Sequence, residues 1–115
     1  MEKKTKKQLK KEAKSKLNKL DKEWSLNIRK KFGNKCVYCC GDKYLNAHHI
    51  LPREIREFRH DMDNGIALCP KHHKFNFEFS AHKNPLAFFK FMSENYPKQM
   101  SHLMKKYEKY AEKVK

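Results

Sequence analysis

Four short motifs lie between residues 36 and 72. In chain order they are Cys36-Val37-Tyr38-Cys39, Ala47-His48-His49-Ile50, Asn64-Gly65-Ile66 and Cys69-Pro70-Lys71-His72. Each outer motif places two metal-binding side chains three positions apart, a spacing that is typical of tetrahedral zinc sites. The two motifs are separated by 29 residues, so that one ion would join both ends of the segment. The sequence therefore predicts a closed, structural zinc site at Cys36, Cys39, Cys69 and His72.

Other interpretations of the cysteines remain open at this point. They would also be compatible with small buried apolar side chains or with disulfides. Disulfides are typical of secreted chains, and no apolar signal segment precedes these cysteines. Cys40 is an alternative second ligand, at one residue more than the usual spacing. The two-residue spacing of Cys36 and Cys39 favours Cys39.

The length of 115 residues predicts one domain with extensions, and only 38% of the residues are apolar. Because a small domain buries little apolar surface, a bound metal ion often stabilises it. This supports the zinc interpretation independently of the motif. The chain has no run of 18 apolar residues, which predicts no membrane span.

The net charge of +15 is concentrated at the beginning of the chain. Residues 1–35 contain 14 Lys or Arg and 4 Asp or Glu, which leaves +10 there. Such a density of positive charge predicts a polyanionic partner, with nucleic acid first. An anionic membrane surface is the rival partner, and a merely solubilising charged face is the simpler explanation.

The basic segment is also a predicted helix, from Lys4 to about Phe32, because it lacks Pro and Gly and has a regular apolar stripe. The stripe consists of Leu9, Ala13, Leu17, Leu20, Trp24 and Ile28. Trp24 and Ile28 are expected to pack on the rest of the domain. Phe32-Gly33-Asn34 then predicts the end of the helix.

The remaining elements are predicted from local patterns. Strands are expected at Leu45–Ile50 and Ile66–Leu68, with a charged loop containing Arg53, Arg56 and Arg59 between them. These arginines are interpreted either as solvated or as phosphate contacts. A helix should begin after Cys69, and two more after the capping residue Asn84 and after Tyr96.

Expectations for several other aromatic residues and histidines concern only burial. Phe75, Phe77 and Phe79 are expected in the core, whereas His60, His82 and His102 are expected at the surface.

Four polar side chains of the central segment remain once the zinc ligands are assigned: His48, His49, Asn64 and His73. In this order they resemble the HNH endonucleases, whose core is two strands and a helix around one catalytic metal ion. In that family a His-His or Asp-His pair ends the first strand, an Asn precedes the second strand, and the last His opens the helix. The resemblance covers about residues 32–95, and the run Asn84-Pro85-Leu86-Ala87-Phe88-Phe89 is similar to the phage NinG-type branch.

The resemblance implies an α+β fold. It consists of a small ββα-metal core with a zinc knuckle, flanked by the long basic N-terminal helix and by two C-terminal helices. The expected divisions are a helical extension at 1–32, the nuclease core at 33–82 and the C-terminal helices at 83–115.

The resemblance also implies roles for the four side chains. His49 is expected to be the general base, while His48 and His73 bind one divalent cation, Mg²⁺, Mn²⁺ or Ni²⁺. Asn64 would orient the base or brace its loop. Because His48 stands where many members have Asp, borderline cations such as Mn²⁺, Co²⁺ and Ni²⁺ are expected to work better than Mg²⁺.

The expected activity is metal-dependent hydrolysis of DNA that leaves a 5′-phosphate, in the cytoplasm of a prokaryotic or phage-infected cell. Contacts with the nucleic acid are expected from basic residues of the helix, the loop and the second zinc motif: Lys7, Lys10, Lys14, Arg29, Arg53, Arg56 and Lys74. Two other functions remain open. One is a zinc-stapled nucleic-acid-binding module without catalysis, and the other is an interaction protein that uses its terminal helices.

Overall fold

The computed structural model describes residues 3–115, which form an α+β fold as predicted. The first two residues of the predicted 1–32 extension lie outside the described residues. The elements are α1 (Lys6–Lys31), β1 (Asn46–His49), β2 (Gly65–Leu68), α2 (Pro85–Asn95) and α3 (Pro97–Lys113). A short 3-10 turn at Met62–Asn64 precedes β2, and a π-helical turn at Lys71–Phe75 follows it. Within residues 3–115 no helix is both long enough and apolar enough to cross a bilayer.

The centre of the fold is an antiparallel pair of strands, β1 and β2. His48 pairs with Ile66 and His49 pairs with Gly65, so the two histidines stand at the end of β1, opposite the start of β2. All four residues of β2 are buried. Both predicted strands are present, although β1 is shorter than expected because the chain bends at Ile50.

Local capping determines where α1 begins and ends. The Thr5 hydroxyl accepts from the Gln8 amide, and the Gln8 side chain accepts from the Thr5 amide, which forms a capping box. At the other end, Gly33 adopts a positive φ of 69°, and its amide donates to the Lys30 carbonyl. This is the glycine-assisted helix end that the sequence predicted.

Only the second half of α1 packs on the strands. Trp24 and Ile28 are buried as predicted, whereas Leu9 and Leu20 of the same stripe are about half exposed. Gly65 makes this close packing possible, because a Cβ at that position would lie 2.6 Å from atoms of both Trp24 and Ile28. The apolar stripe is therefore buried only where α1 meets the two strands.

The apolar core lies between the strands and α2. Its buried members are Cys36, Ile66, Leu68, Phe79, Ala81, Phe88 and Met92. Phe79 is buried as predicted and stacks on Tyr38, with ring centroids 3.9 Å apart. The prediction was wrong for Phe75 and Phe77, which are 67% and 76% exposed. Phe75 ends the π-helical turn and Phe77 lies in the bends that follow it, and neither side chain reaches the core.

The C-terminal helices begin as predicted. Asn84 Oδ1 accepts from the Ala87 amide at the start of α2, and Pro97 opens α3. Gln99 of α3 donates to the Asp63 and Gly65 carbonyls. Lys106 of the same helix forms ion pairs with Asp61 and Asp63. Helix α3 therefore holds the turn that leads into β2.

Candidate active site and zinc centre

The four predicted zinc ligands converge in space. Their ligand atoms, from Cys36, Cys39, Cys69 and His72, all lie within 4.8 Å of one another. The sulfurs of Cys39 and Cys69 are 3.7 Å apart, and His72 Nδ1 lies 3.1 Å from the Cys69 sulfur and 3.8 Å from that of Cys36. A tetrahedral ion with zinc–sulfur bonds of about 2.3 Å holds its sulfurs about 3.8 Å apart. The Cys₃His cluster is therefore compatible with a structural zinc ion.

A tight turn after α1 positions the first two sulfurs. The Cys40 amide donates to the Cys36 carbonyl, the Cys36 amide donates to the Gly41 carbonyl, and the Gly41 amide donates to the Cys39 sulfur. Cys40 is exposed and is not a member of the cluster, which favours Cys39 as predicted. Burial raises the pKa of Cys39 to about 11, so zinc binding must release its proton.

The second pair of zinc ligands lies on a wide helical turn. The Asn76 amide donates to the carbonyl of Lys71, five residues back, which makes Lys71–Phe75 a π-helical turn rather than the expected α-helix. His72 is directed to the cysteines while His73 is directed to the end of β1. Neighbouring histidines thus belong to two different clusters.

A second cluster consists of His48, His73 and His82. His73 Nε2 lies 3.1 Å from His48 Nδ1 and 3.2 Å from His82 Nε2. Metal–imidazole bonds of about 2.1 Å place neighbouring ligand nitrogens at about this spacing. Burial lowers the pKa of His48 to about 3 and that of His73 to about 4. Both rings are therefore neutral near pH 7, the form in which imidazole binds a cation.

His82 was predicted to be a surface residue without a role. It is exposed, but its ring completes the second cluster. The segment after the π-helical turn folds back, since the His82 amide donates to the His73 carbonyl and the Ala81 amide to that of His72. A separation of nine residues matches no common ligand spacing, so the sequence offered no signal for His82.

His49 lies on the other side of β1 from this cluster and stacks on Trp24, with ring centroids 3.9 Å apart and planes 12° from parallel. Its Nε2 donates to the Arg59 carbonyl at 2.9 Å. Because a carbonyl oxygen only accepts, Nε2 carries the hydrogen and the lone pair of the neutral ring is on Nδ1. Burial also lowers the pKa of His49, which keeps the ring neutral.

Asn64 is completely buried and braces the loop that carries Arg59. Its Oδ1 accepts from the Leu51 amide, while its Nδ2 donates to the carbonyls of Leu51 and Phe58. The two ends of the loop are thereby held together. These hydrogen bonds are the contacts that the second of its two expected roles, bracing the loop next to His49, would require.

Arg59 does not have either role expected for it, phosphate contact or free solvation. Its guanidinium forms two hydrogen bonds, of 2.9 and 2.6 Å, with the carboxylate of Asp21 on α1. His60, expected to be an unengaged surface residue, also contacts Asp21 at 2.7 Å. The Arg59 side chain hydrogen-bonds to Asp21 and holds the pKa of that carboxyl well below its usual range. No local pattern indicates this pairing, because the partners are 38 residues apart.

A cavity of about 680 Å³ joins both groups of histidines. It is lined by His48, His49, His73 and His82, and the predicted phosphate-binding residues Arg53 and Lys74 are also in its wall. Arg56 is exposed on the loop, and Lys7, Lys10 and Lys14 are exposed on α1. Arg29 is half-buried and donates to the Ser25 carbonyl of its own helix.

Residues 36–75 match the model of a family described as HNH endonuclease. No curated protein and no solved structure matches the chain. The match includes the four zinc ligands, the histidines of β1, Asn64 and His73, whereas α1 and His82 lie outside it. It ends before Asn84, so the similarity to the NinG-type branch stays a prediction. The resemblance of residues 36–75 to the HNH endonucleases is therefore confirmed, and it is the basis on which a function is assigned to this chain.

Proposed function

We propose that the protein is a metal-dependent DNA endonuclease in which His49 is the general base. The observation that carries this proposal is the state of His49. A neutral ring, held at Nε2 by the Arg59 carbonyl, has its Nδ1 lone pair available and borders the same cavity as three further imidazoles. Neutral imidazole is well suited to accept a proton from water near neutral pH.

In this proposal His48 and His73 bind one divalent cation, and His82 is a third ligand. The donor set fits a borderline cation, because the three converging atoms are imidazole nitrogens and burial keeps the rings of His48 and His73 neutral. When bound, such a cation supplies Lewis-acid stabilisation of the scissile phosphate and of the 3′ leaving oxygen. The zinc at the Cys₃His cluster is separate, and we assign it a structural role because four protein ligands leave no open position.

The residues of the chain itself perform the proton transfer and the positioning. His49 Nδ1 accepts a proton from the attacking water, while the Arg59 carbonyl keeps the ring in one tautomer. Asn64 holds the loop from which that carbonyl projects. The product carries a 5′-phosphate, as in the family that residues 36–75 match.

We propose DNA as the substrate because the cationic residues occupy both the cavity and α1. Arg53 and Lys74 line the cavity, where they would bind phosphates next to the reacting bond. Arg56 would contact the flanking backbone. Lys7, Lys10, Lys14 and Arg29 would extend the contact along α1. The nuclease core would then be 33–82, with supporting segments at 1–32 and 83–115.

Plasmid nicking by the purified protein tests this function. Supercoiled DNA is incubated with the parent, with His49→Ala and with His102→Ala, an exposed histidine of α3 that serves as the matched control. We expect nicking that depends on an added divalent cation, a loss of about 10²–10⁴-fold for His49→Ala, and none for His102→Ala. DNA binding without nicking under any cation would instead support a zinc-stapled binding module. His49→Ala that cuts at more than about a tenth of the parent rate would remove His49 from the role of base.

A further inference from the structure

We infer that α1 completes the active site, with Trp24 and Asp21 as positioning residues for His49. This inference rests on the proposed function, in which His49 is the base. Both residues lie outside the matched segment 36–75, so they are not part of the motif that indicates a nuclease. One face of α1 carries both, because residues three apart on a helix are neighbours.

Trp24 controls the plane of the His49 ring. The two rings are stacked 3.9 Å apart, and Trp24 is 4% exposed. The indole itself has little freedom, since its Nε1 donates to the Asp61 carbonyl at 2.9 Å. Because that nitrogen is engaged, the indole does not compete for the lone pair on His49 Nδ1. Trp24 therefore restricts rotation of the base, while its own polar atom is bonded elsewhere.

Asp21 binds the side chain of Arg59, the residue whose carbonyl accepts from His49 Nε2. Its carboxylate forms a two-point contact with the Arg59 guanidinium, and the Arg59 carbonyl accepts from His49 Nε2. The same carboxylate contacts His60, the next residue of the loop. Asp21 thus ties α1 to the backbone that determines the tautomer of His49.

Ile28 provides a control that distinguishes positioning of His49 from packing of α1. It lies one turn beyond Trp24 on the same stripe and is fully buried, and both residues would meet a Cβ placed at Gly65. Trp24 contacts His49 in addition, whereas Ile28 is not among the contacts that hold the His49 ring. A small change at Ile28 therefore tests packing of α1 alone.

The test compares Trp24→Leu, Trp24→Phe and Ile28→Val, each normalised to its zinc-loaded folded fraction. Trp24→Leu removes the aromatic face, and we expect kcat for DNA cleavage to fall about tenfold or more, because a small misplacement of a catalytic group costs up to about 10²-fold. KM should stay within about twofold, since the groups that bind the substrate remain. Trp24→Phe keeps an aromatic face and should recover most of the rate, and Ile28→Val should leave both parameters at the parent level.

A double-mutant cycle distinguishes positioning of His49 from a general structural effect. In a His49→Ala background the base is already missing, so Trp24→Leu should lower the residual rate no further. An equal loss of rate in both backgrounds would overturn the inference, as would an unchanged kcat for Trp24→Leu. If Trp24→Leu fails to fold, Asp21→Asn replaces it in the same double-mutant cycle with His49→Ala. It keeps the shape of the side chain and should lower kcat only when His49 is present.

Tryptophan fluorescence tests the contact between Trp24 and His49 without requiring DNA cleavage, so it does not depend on the proposed function. Trp24 is the only tryptophan of the chain, so its fluorescence reports on the ring stacked against it. We expect His49→Ala to change the emission intensity and His102→Ala to leave it unchanged. If no cation supports cleavage by the parent, the proposed function fails while a changed emission still supports the stacking. Equal emission from the parent and His49→Ala would contradict the stacking itself.

Discussion

At the scale of single residues, the buried amide of Asn64 makes contacts beyond the turn in which it lies. Its side chain makes three hydrogen bonds to the backbone, and all three join the ends of one loop. An Asn-Gly pair before a strand is also a common turn sequence, so the sequence alone is compatible with a purely local role. Burial decides between these explanations, because a completely buried amide must satisfy its polar atoms inside the protein.

Asn64→Ala should lower the free energy of unfolding by about 1–3 kcal/mol or more, because it leaves buried backbone groups of Leu51 and Phe58 unpaired. Urea denaturation followed by circular dichroism measures this change. Asn18→Ala is the matched control, since Asn18 is exposed on α1 and its replacement should stay within about 0.5 kcal/mol. Equal stability of the two variants would show that the amide does not brace the loop.

His82 is the residue whose proposed role depends most on metal chemistry. With His82→Ala, we expect the concentration of Mn²⁺ that gives half-maximal nicking to rise about tenfold or more, since changes near a metal site cost about 10–100-fold in affinity. The parent should work better with Mn²⁺, Co²⁺ or Ni²⁺ than with Mg²⁺, because imidazole favours borderline cations.

Metal titrations of the parent, His82→Ala and His102→Ala measure both effects. His48→Asp introduces a carboxylate and should shift the preference towards Mg²⁺. If His82→Ala and His102→Ala need the same metal concentration, His82 is not a ligand. If the parent and His48→Asp favour Mg²⁺ equally, the assignment of His48 is wrong.

At the scale of elements, the Cys₃His cluster brings together two segments that are far apart in the sequence. Cys36 and Cys39 lie on the turn after α1, and Cys69 and His72 lie at the start of the π-helical turn. A single π-helical turn is too short to be stable alone. Its attachment to the first turn is therefore expected to depend on the metal.

Cys69→Ser should lower the melting temperature by about 10 °C or more, because loss of a structural metal site is coupled to folding. Cys40→Ser is a matched control in the same motif, as Cys40 is exposed and outside the cluster. Elemental analysis should find one zinc per chain in the parent and in Cys40→Ser, and less in Cys69→Ser. An unchanged melting temperature for Cys69→Ser would contradict a structural role for the site.

The two halves of α1 have different surroundings, and this divides their functions. The second half packs on the strands, while the first half presents exposed lysines and the exposed Leu9. Exposed cations at the free end of a long helix are suited to nonspecific contact with phosphates.

Replacing Lys7, Lys10 and Lys14 by Ala should weaken DNA binding while leaving kcat at saturating DNA unchanged. Each lost phosphate contact reduces the slope of log K against log salt by about 0.9, so the slope should change by up to about 2.7. Replacing the exposed lysines 105, 109 and 113 of α3 removes the same charge and is the matched control. Identical slopes for the two triple variants would mean that net charge, rather than α1, attracts the DNA.

At the scale of the whole molecule, one ion-pair cluster connects the N-terminal helix with the central loop. Asp21 of α1 contacts both Arg59 and His60, and the Arg59 hydrogen bonds hold the pKa of its carboxyl well below the ordinary value. A carboxyl whose pKa is lower in the folded state binds protons more readily when the chain is unfolded. Its contribution to stability is therefore present above the unfolded pKa and is lost as the pH falls through the folded one.

We accordingly expect the parent to lose more stability between about pH 5 and pH 3 than Asp21→Asn does, since the variant has no carboxylate to protonate there. Urea midpoints at a series of pH values measure this difference. Glu108→Gln removes an exposed carboxylate of α3 and should retain the pH dependence of the parent. Parallel curves for the parent and Asp21→Asn would show that the cluster does not stabilise the fold.

Features formed by residues that are close together in the sequence could be predicted from the sequence. The C-terminal end of α1 and the Asn84 cap of α2 were predictable because the residues that form them lie within three or four positions of one another. The Cys₃His cluster was predictable because each of its pairs is local and a tetrahedral zinc site needs two pairs. The order His48, His49, Asn64 and His73 pointed to the HNH endonucleases for the same reason, since each side chain stands next to a recognisable strand or zinc motif.

Contacts between residues that are far apart in the sequence became visible in the tertiary structure. His82 lies next to His48 and His73 because the chain folds back after the π-helical turn. No residue spacing in the sequence predicts this course of the chain. Asp21 meets Arg59 from 38 positions away, in contacts that the packing of α1 against Gly65 makes possible. Such contacts are set by the relative placement of whole elements, which depends on packing and loop path rather than on the residues next to them in sequence.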